Sequence, residues 1–214
     1  MTKMRDEINE IPAAAARLLQ SLSGSLEGIG QRLRERDPAF VLTVARGSSD
    51  HAAAFLKYAI EVQAGLAVAS VGPSIASIFG AQLSVQNALC LSISQSGQSP
   101  DIVAMQSNAR TGKAFTLSLT NSPQSPLATQ SDLSIDIGAG AEHAVAATKS
   151  YVNSVLAGLL VLAAWQRDEA LMAALHRLPE QLAAAVALDW SALGTDVERG
   201  GSLYILGRGP SLAI

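Results

Sequence analysis

Five short apolar runs separated by helix-compatible segments constrain this chain more than any other feature. The runs are Phe40–Ala45, Leu66–Val71, Ala88–Ser94, Phe115–Leu119 and Leu133–Ile137. They contain Val, Ile and Leu without clean alternation, as strands covered on both faces do. His51–Gln63, Ser74–Leu83 and Pro100–Arg110 read as helices between them, and Thr148–Arg167 as a long apolar helix after the fifth. The fourth connection, Asn121–Asp132, holds a turn and at most one helical turn. Strands alternating with helices predict an α/β fold, a doubly wound five-stranded parallel sheet flanked by helices. In the order 2-1-3-4-5, a crevice opens beyond the carboxyl ends of strands 1 and 3.

Residues 40–50 (FVLTVARGSSD) and 203–212 (LYILGRGPSL) read almost alike. Each is an apolar run ending in Arg-Gly and a serine-containing turn. Their offset is about one domain length, too long for a solenoid period. The economical reading is a tandem protein, with one whole copy and the opening of another on this chain. Residues 1–36 then form a helical lead-in, 37–188 the first domain, and 189–214 a linker and the truncated start of the second. Within these, Ala13–Arg36 reads as an amphipathic helix with Pro12 at its first turn. Asp168–Ala187 reads as a helix broken near Pro179, Asp189–Gly201 as the linker, and Leu203–Leu206 as an incipient strand.

Apolar residues make up 49% of the 214, enough for a large core, while 15 Lys+Arg against 18 Asp+Glu and 4% aromatics give nucleic-acid binding no support. The sole cysteine, Cys90, lies in the third run and reads as a buried strand residue. The N-terminus lacks the apolar segment of a signal peptide, and the longest apolar run, Val155–Trp165, is too short to span a bilayer. A cytoplasmic protein without membrane contact is expected. No metal-spaced His/Cys/Asp set, Walker motif or dinucleotide fingerprint occurs, so neither metal nor cofactor is expected.

Three loops carry chemistry. Ser94–Asp101 (SQSGQSPD) follows the third strand and precedes a helix. Gly97 lets backbone N–H groups approach a ligand, the helix start adds unpaired N–H groups, and Ser94, Gln95, Ser96 and Ser99 add neutral donors. Such a nest holds a phosphate without Lys or Arg; the plain alternative is a turn with Ser99 and Asp101 as caps. The first strand ends similarly in Arg46–Asp50 (RGSSD), where Ser49 or Asp50 is either an N-cap or part of the same site. His51 reads as packing or capping. The third loop, Gly138–Lys149, holds Glu142 and His143, which are acid–base candidates or rim residues. Thr148 reads as an N-cap. Lys149 falls in a first helical turn, where its charge opposes the dipole and calls for a carboxylate or ligand partner.

Three segments, Gly47–Ser49, Ile93–Asp101 and Ala141–Ser150, together resemble the sugar isomerase (SIS) domain family. Residues 4–12 (MRDEINEIP) resemble the lead-in to the isomerase half of glutamine–fructose-6-phosphate aminotransferase, the glucosamine-6-phosphate synthase. The patterns GSSDH, SQSGQSPD and AVAATKS are closer still to SIS-type glucosamine-6-phosphate deaminases. The resemblance implies tandem SIS domains that bind a hexose 6-phosphate or hexosamine 6-phosphate. By position, Ser94, Gln95, Ser96 and Ser99 match the phosphate loop; Ser49 and the backbone at Val145 match sugar contacts. The family's catalytic His, Glu and Lys lie in the second domain and C-terminal tail, beyond Ile214. Glu142, His143 and Lys149 remain as fallback candidates, and the chain by itself is expected to be an incomplete enzyme.

Met1 leads straight into the SIS region, so no glutaminase domain is expected. With the resemblance, this favours deamination with isomerisation, giving fructose 6-phosphate and ammonia, over glutamine-dependent synthesis. An aminotransferase-like isomerase module and a non-catalytic phosphosugar sensor are the alternatives. A homodimer or higher homo-oligomer is implied.

Overall fold

The computed structural model describes residues 2–200 and 204–213. Five parallel strands form one sheet: β1 (Phe40–Val44), β2 (Val68–Ser70), β3 (Ala88–Ile93), β4 (Phe115–Thr120) and β5 (Leu133–Asp136). Their order is β2-β1-β3-β4-β5, as expected. The helices are α1 (Lys3–Asn9), α2 (Ile11–Leu22), α3 (Leu26–Arg36), α4 (Ser48–Gln63), α5 (Ser74–Ser77), α6 (Pro100–Thr111), α7 (Pro126–Thr129), α8 (Lys149–Gln166), α9 (Glu169–His176), α10 (Leu178–Val186) and α11 (Ser191–Arg199). A 3₁₀ segment, Gly209–Ala213, follows and packs against α4.

The central strands β1, β3 and β4 are buried almost throughout, whereas the edge strands β2 and β5 are partly exposed. Leu89, Leu91 and Ile93 of β3 join α2, α3, α4 and α8 in the larger core, while Ala88 and Cys90 join α6 in the smaller one. On β4, Phe115, Leu117 and Leu119 face the larger core. The residues between them are polar but satisfied: Thr116 pairs with Asp132, and Ser118 Oγ donates to Ser134 Oγ at 2.9 Å. Burial pushes the Cys90 thiol up to about 12, which suits a thiol that only packs.

Four elements differ from the sequence reading. Ala13–Arg36 is two helices, α2 and α3, because Ser23-Gly24-Ser25 turns the chain, with Ser23 and Ser25 bonding back to Gln20 and Leu22. The break lets α3 lie close on α8, where Gly30 leaves no room for a Cβ against the Ala164 carbonyl. Ser74–Leu83 shrinks to the single turn of α5, since Gly80 takes φ +60 and Ile78 and Phe79 lie exposed. The segment read as a linker carries α11. Tyr204–Leu206 is irregular and exposed rather than a strand, and Leu203 lies outside the described residues. By contrast, α9 ends where α10 begins, with Pro179 in the first turn of α10, as the expected break requires. Among the described residues, no helix is long and apolar enough to cross a membrane.

Candidate functional site

The carboxyl ends of β1 and β3 are adjacent, with Val44 opposite Ser92. Each strand leads through a short loop into a helix, so the N-termini of α4 and α6 flank one crevice at the switch point of the sheet. The turn after β1 depends on Gly47, whose φ of +61 and ψ of −137 suit glycine. Ser48 and Ser49 open α4; Ser49 is half-buried.

The Ser94–Ser99 loop is held from below. Gln95 O accepts from Asn121 N at 3.0 Å and from Thr120 Oγ1 at 3.3 Å, and Gly97 O accepts from Leu127 N at 3.1 Å. Ser94 Oγ accepts from Gly97 N at 3.2 Å, and Ser96 Oγ accepts from Gln98 N at 3.3 Å. A hydroxyl that accepts still has its own O–H to give. Ser94 is buried, whereas Gln95, Ser96 and Ser99 are half-buried. Ser99 stands at the N-cap of α6 with its side chain making no capping bond, and Pro100 follows in the first turn. Neutral O–H and N–H donors around a helix start suit an anionic oxygen.

A neighbouring cleft of about 550 Å³ continues across the ends of β3, β4 and β5, lined by Gln95, Asn121, Ser122, Asp136, the loop residues Gly138, Gly140 and Ala141, and the Glu142–His143 pair. Its size suits a small polar ligand. Asn121, which the sequence reading passed over, pins its floor: Nδ2 donates to Gly140 O at 2.7 Å and Oδ1 accepts from Ala139 N at 2.8 Å. Arg17 of α2 donates to Ala139 O at 3.3 Å from the other side.

The third loop is fastened by carboxylates. Glu142 caps α8: Oε1 accepts from Thr148 N at 2.9 Å and from Thr148 Oγ1 at 3.0 Å, and Oε2 accepts from Ser150 Oγ. Burial opposes the charge, but the Ser150 and Thr148 bonds together outweigh it and hold the carboxyl below its ordinary value. Thr148 thus occupies the N-cap position while Glu142 does the capping. Lys149, fully buried, has the partner its position called for: Nζ bonds Glu10 Oε2 from the preceding α1–α2 turn. That hydrogen bond, and then the lysine charge, lower the Glu10 pKa. Buried Glu7 of α1 accepts from the N–H groups of His143 and Ala144. Glu7 and Glu10 lie in the N-terminal segment already singled out by its resemblance, but their individual roles have no local signal.

Ser49, Ser94, Gln95, Ser96 and Ser99 therefore gather on the two loops at the crevice. Val145 lies exposed on the third loop with its side chain in solvent, leaving its backbone for any contact. Glu142 and Lys149 are committed to partners, and the His143 side chain is exposed. Among the described residues, no group of three or more His, Cys, Asp or Glu is placed to hold a metal ion.

Residues 36–164 match the SIS domain family. The chain belongs to that family. Among relatives, a glutamine–fructose-6-phosphate aminotransferase (isomerizing) of Shewanella oneidensis is 32% identical over 99% of this chain and 37% of its own length. A solved structure from Silicibacter pomeroyi, provisionally named a phosphosugar isomerase, is 52% identical with a TM-score of 0.96 over 100% of this chain and 65% of that one. A glucosamine-6-phosphate deaminase of Thermotoga maritima superposes with a TM-score of 0.68 at 19% identity, over 84% of this chain and 54% of that one, a likeness of fold alone. The chain thus spans about two-fifths or less of the aminotransferase and about two-thirds of the provisional isomerase. In sequence and fold this SIS domain is phosphosugar-isomerase-like.

Proposed function

We propose that this SIS domain binds a hexose 6-phosphate or hexosamine 6-phosphate, with the phosphate on the Ser94–Ser99 loop and the N-terminus of α6. The observation that carries the reading is the meeting of two serine-bearing strand–helix turns at the switch point of the sheet. The sugar extends toward Ser49 and the backbone near Val145. The phosphate anchors the ligand, so that its binding energy orients a reacting carbon several bonds away.

The activity we assign is deamination of glucosamine 6-phosphate with isomerisation of the carbon skeleton. The GSSDH, SQSGQSPD and AVAATKS patterns support it. Ring opening needs an acid–base group, and the C1–C2 interconversion needs a base for the carbon proton. Glu142 and Lys149 already serve as a helix cap and as the buried half of an ion pair. The family's catalytic set, placed by resemblance in a second SIS domain, supplies these groups instead. The 32% identity to an aminotransferase favours a second reading, an isomerase module that works with an ammonia source.

Calorimetry tests the binding. Fructose 6-phosphate or glucosamine 6-phosphate binds, and the unphosphorylated sugars do not. Ser96→Ala removes a donor to a charged acceptor, a loss of roughly 1.5–3 kcal/mol, so affinity falls about tenfold or more. Ser134→Ala, on β5, leaves affinity unchanged. Equal affinities for both variants would show that the loop is only a turn. Ammonia release from glucosamine 6-phosphate by this chain alone would return Glu142, His143 and Lys149 to candidacy. Glutamine-dependent synthesis by the protein carrying this domain would favour the second reading.

A further inference from the structure

Asp101 puts a negative charge where the proposed phosphate needs a positive potential. It occupies the first turn of α6, whose N-terminus opens on the Ser94–Ser99 loop. A carboxylate there complements the helix dipole in the free protein. The same charge repels a dianion placed on the same N–H groups.

Arg46 answers that charge from the other side of the crevice. Its Nη1 donates to Asp101 Oδ2 at 3.1 Å, joining the end of β1 to the start of α6. The second carboxylate oxygen, Oδ1, is buried with no hydrogen-bond partner. Arg46 is therefore the cation that compensates this carboxylate. The Arg46 side chain is 64% exposed, and its guanidinium carries N–H donors beyond the one that meets Asp101. Arg46 follows two residues after Val44, which pairs with Ser92 of the adjacent β3, so it leaves the sheet beside the strand that leads into the loop. Gly47 then turns the chain into α4.

We propose that Arg46 is the specificity-determining residue of the phosphate site, shared between Asp101 in the free protein and the phosphate monoester of a bound ligand. Asp101 positions the guanidinium at the crevice, and the guanidinium cancels the repulsion that Asp101 would otherwise exert. The neutral donors of the loop shape the site, and the Arg46–Asp101 pair makes it demand a charged ligand. This rests on the phosphosugar reading above, and the test separates the two.

Titration calorimetry with fructose 6-phosphate, glucosamine 6-phosphate and inorganic phosphate is run on the wild-type chain, Ser96→Ala, Arg46→Gln, Arg46→Lys, Asp101→Asn and Arg46→Gln/Asp101→Asn. Arg46→Gln is expected to weaken the sugar phosphates at least about tenfold, because a charge-assisted bond is lost and a bare carboxylate remains. Arg46→Lys keeps the charge without the planar fork and recovers part of the affinity. Adding Asp101→Asn to Arg46→Gln recovers part of it, because the bare carboxylate is gone while the bond to the phosphate stays lost. Two results overturn the role of Arg46 while leaving the phosphosugar reading intact, provided Ser96→Ala still weakens binding. One is an Arg46→Gln affinity within about twofold of wild type; the other is a loss that Asp101→Asn does not relieve. Absence of sugar phosphate binding by the wild-type chain, or no effect of any variant including Ser96→Ala, overturns the phosphosugar reading and this proposal with it.

Discussion

Gly97 shows how little freedom the proposed phosphate loop has. It takes φ +61, and a Cβ there would lie 2.0 Å from Ser125 Oγ and 2.8 Å from Thr120 Oγ1. Left-handed backbone at a non-glycine residue and overpacking each cost about 1–3 kcal/mol. Gly97→Ala should lower the unfolding midpoint and abolish sugar phosphate binding together. Gly47→Ala has open space around its new Cβ but the same positive φ, so it should cost less stability. Similar denaturation midpoints for the two variants would contradict the crowding at Gly97. The glycine was legible in sequence as a turn residue. The two hydroxyls that crowd it come from β4 and the start of α7, and no spacing announces them.

At the scale of elements, the third loop is held at both ends by carboxylates. Glu7 and Glu10 reach it from the N-terminal helices, and Glu142 caps α8 from within. Lys149 is 2% exposed and its partner Glu10 about half exposed. Losing the partner strands a buried charge, whereas losing the lysine leaves a carboxylate that water can reach. Glu10→Ala should therefore lower the thermal midpoint more than Lys149→Met does; the reverse order would contradict the pairing. Glu142 supplies a pH signature. Its folded pKa lies below the ordinary 4.5, so its contribution to stability is complete above that value and fades as pH falls through the folded value. In Glu142→Gln, the acid limb of the midpoint-versus-pH curve should flatten below about pH 4.5. An unchanged acid limb would mean the carboxylate does not hold the start of α8.

At the scale of the whole molecule, apolar surface gathers near the C-terminal end of the chain. Leu188, Trp190, Leu193 and Val197 on and before α11 are exposed, as are Tyr204, Ile205 and Leu206. Exposed apolar side chains concentrated in one stretch of chain suit an interaction face. Sedimentation at micromolar concentration should show self-association that weakens in Trp190→Ser/Leu193→Ser. A clean monomer at all concentrations, or an association that the double variant leaves intact, would place the contact elsewhere or remove it.

Local chemistry was enough for the sheet and the crevice. Buried-type runs between turn residues, each followed by a helix, lead to parallel strands and to the order that opens the β1/β3 crevice, because short connections and strand burial restrict the topologies. The serine loops were legible because glycine and helix starts act over a few residues. Tertiary structure decided what depends on distant partners. The break at Ser23–Ser25 lets α3 lie on α8, and α5 ends before Ile78 and Phe79, which lie exposed. Glu10 and Lys149, 139 residues apart, became partners, and Asp101 met Arg46 across the crevice. A charged side chain finds its partner only once the backbone is in place, because the same residue type in solvent needs none.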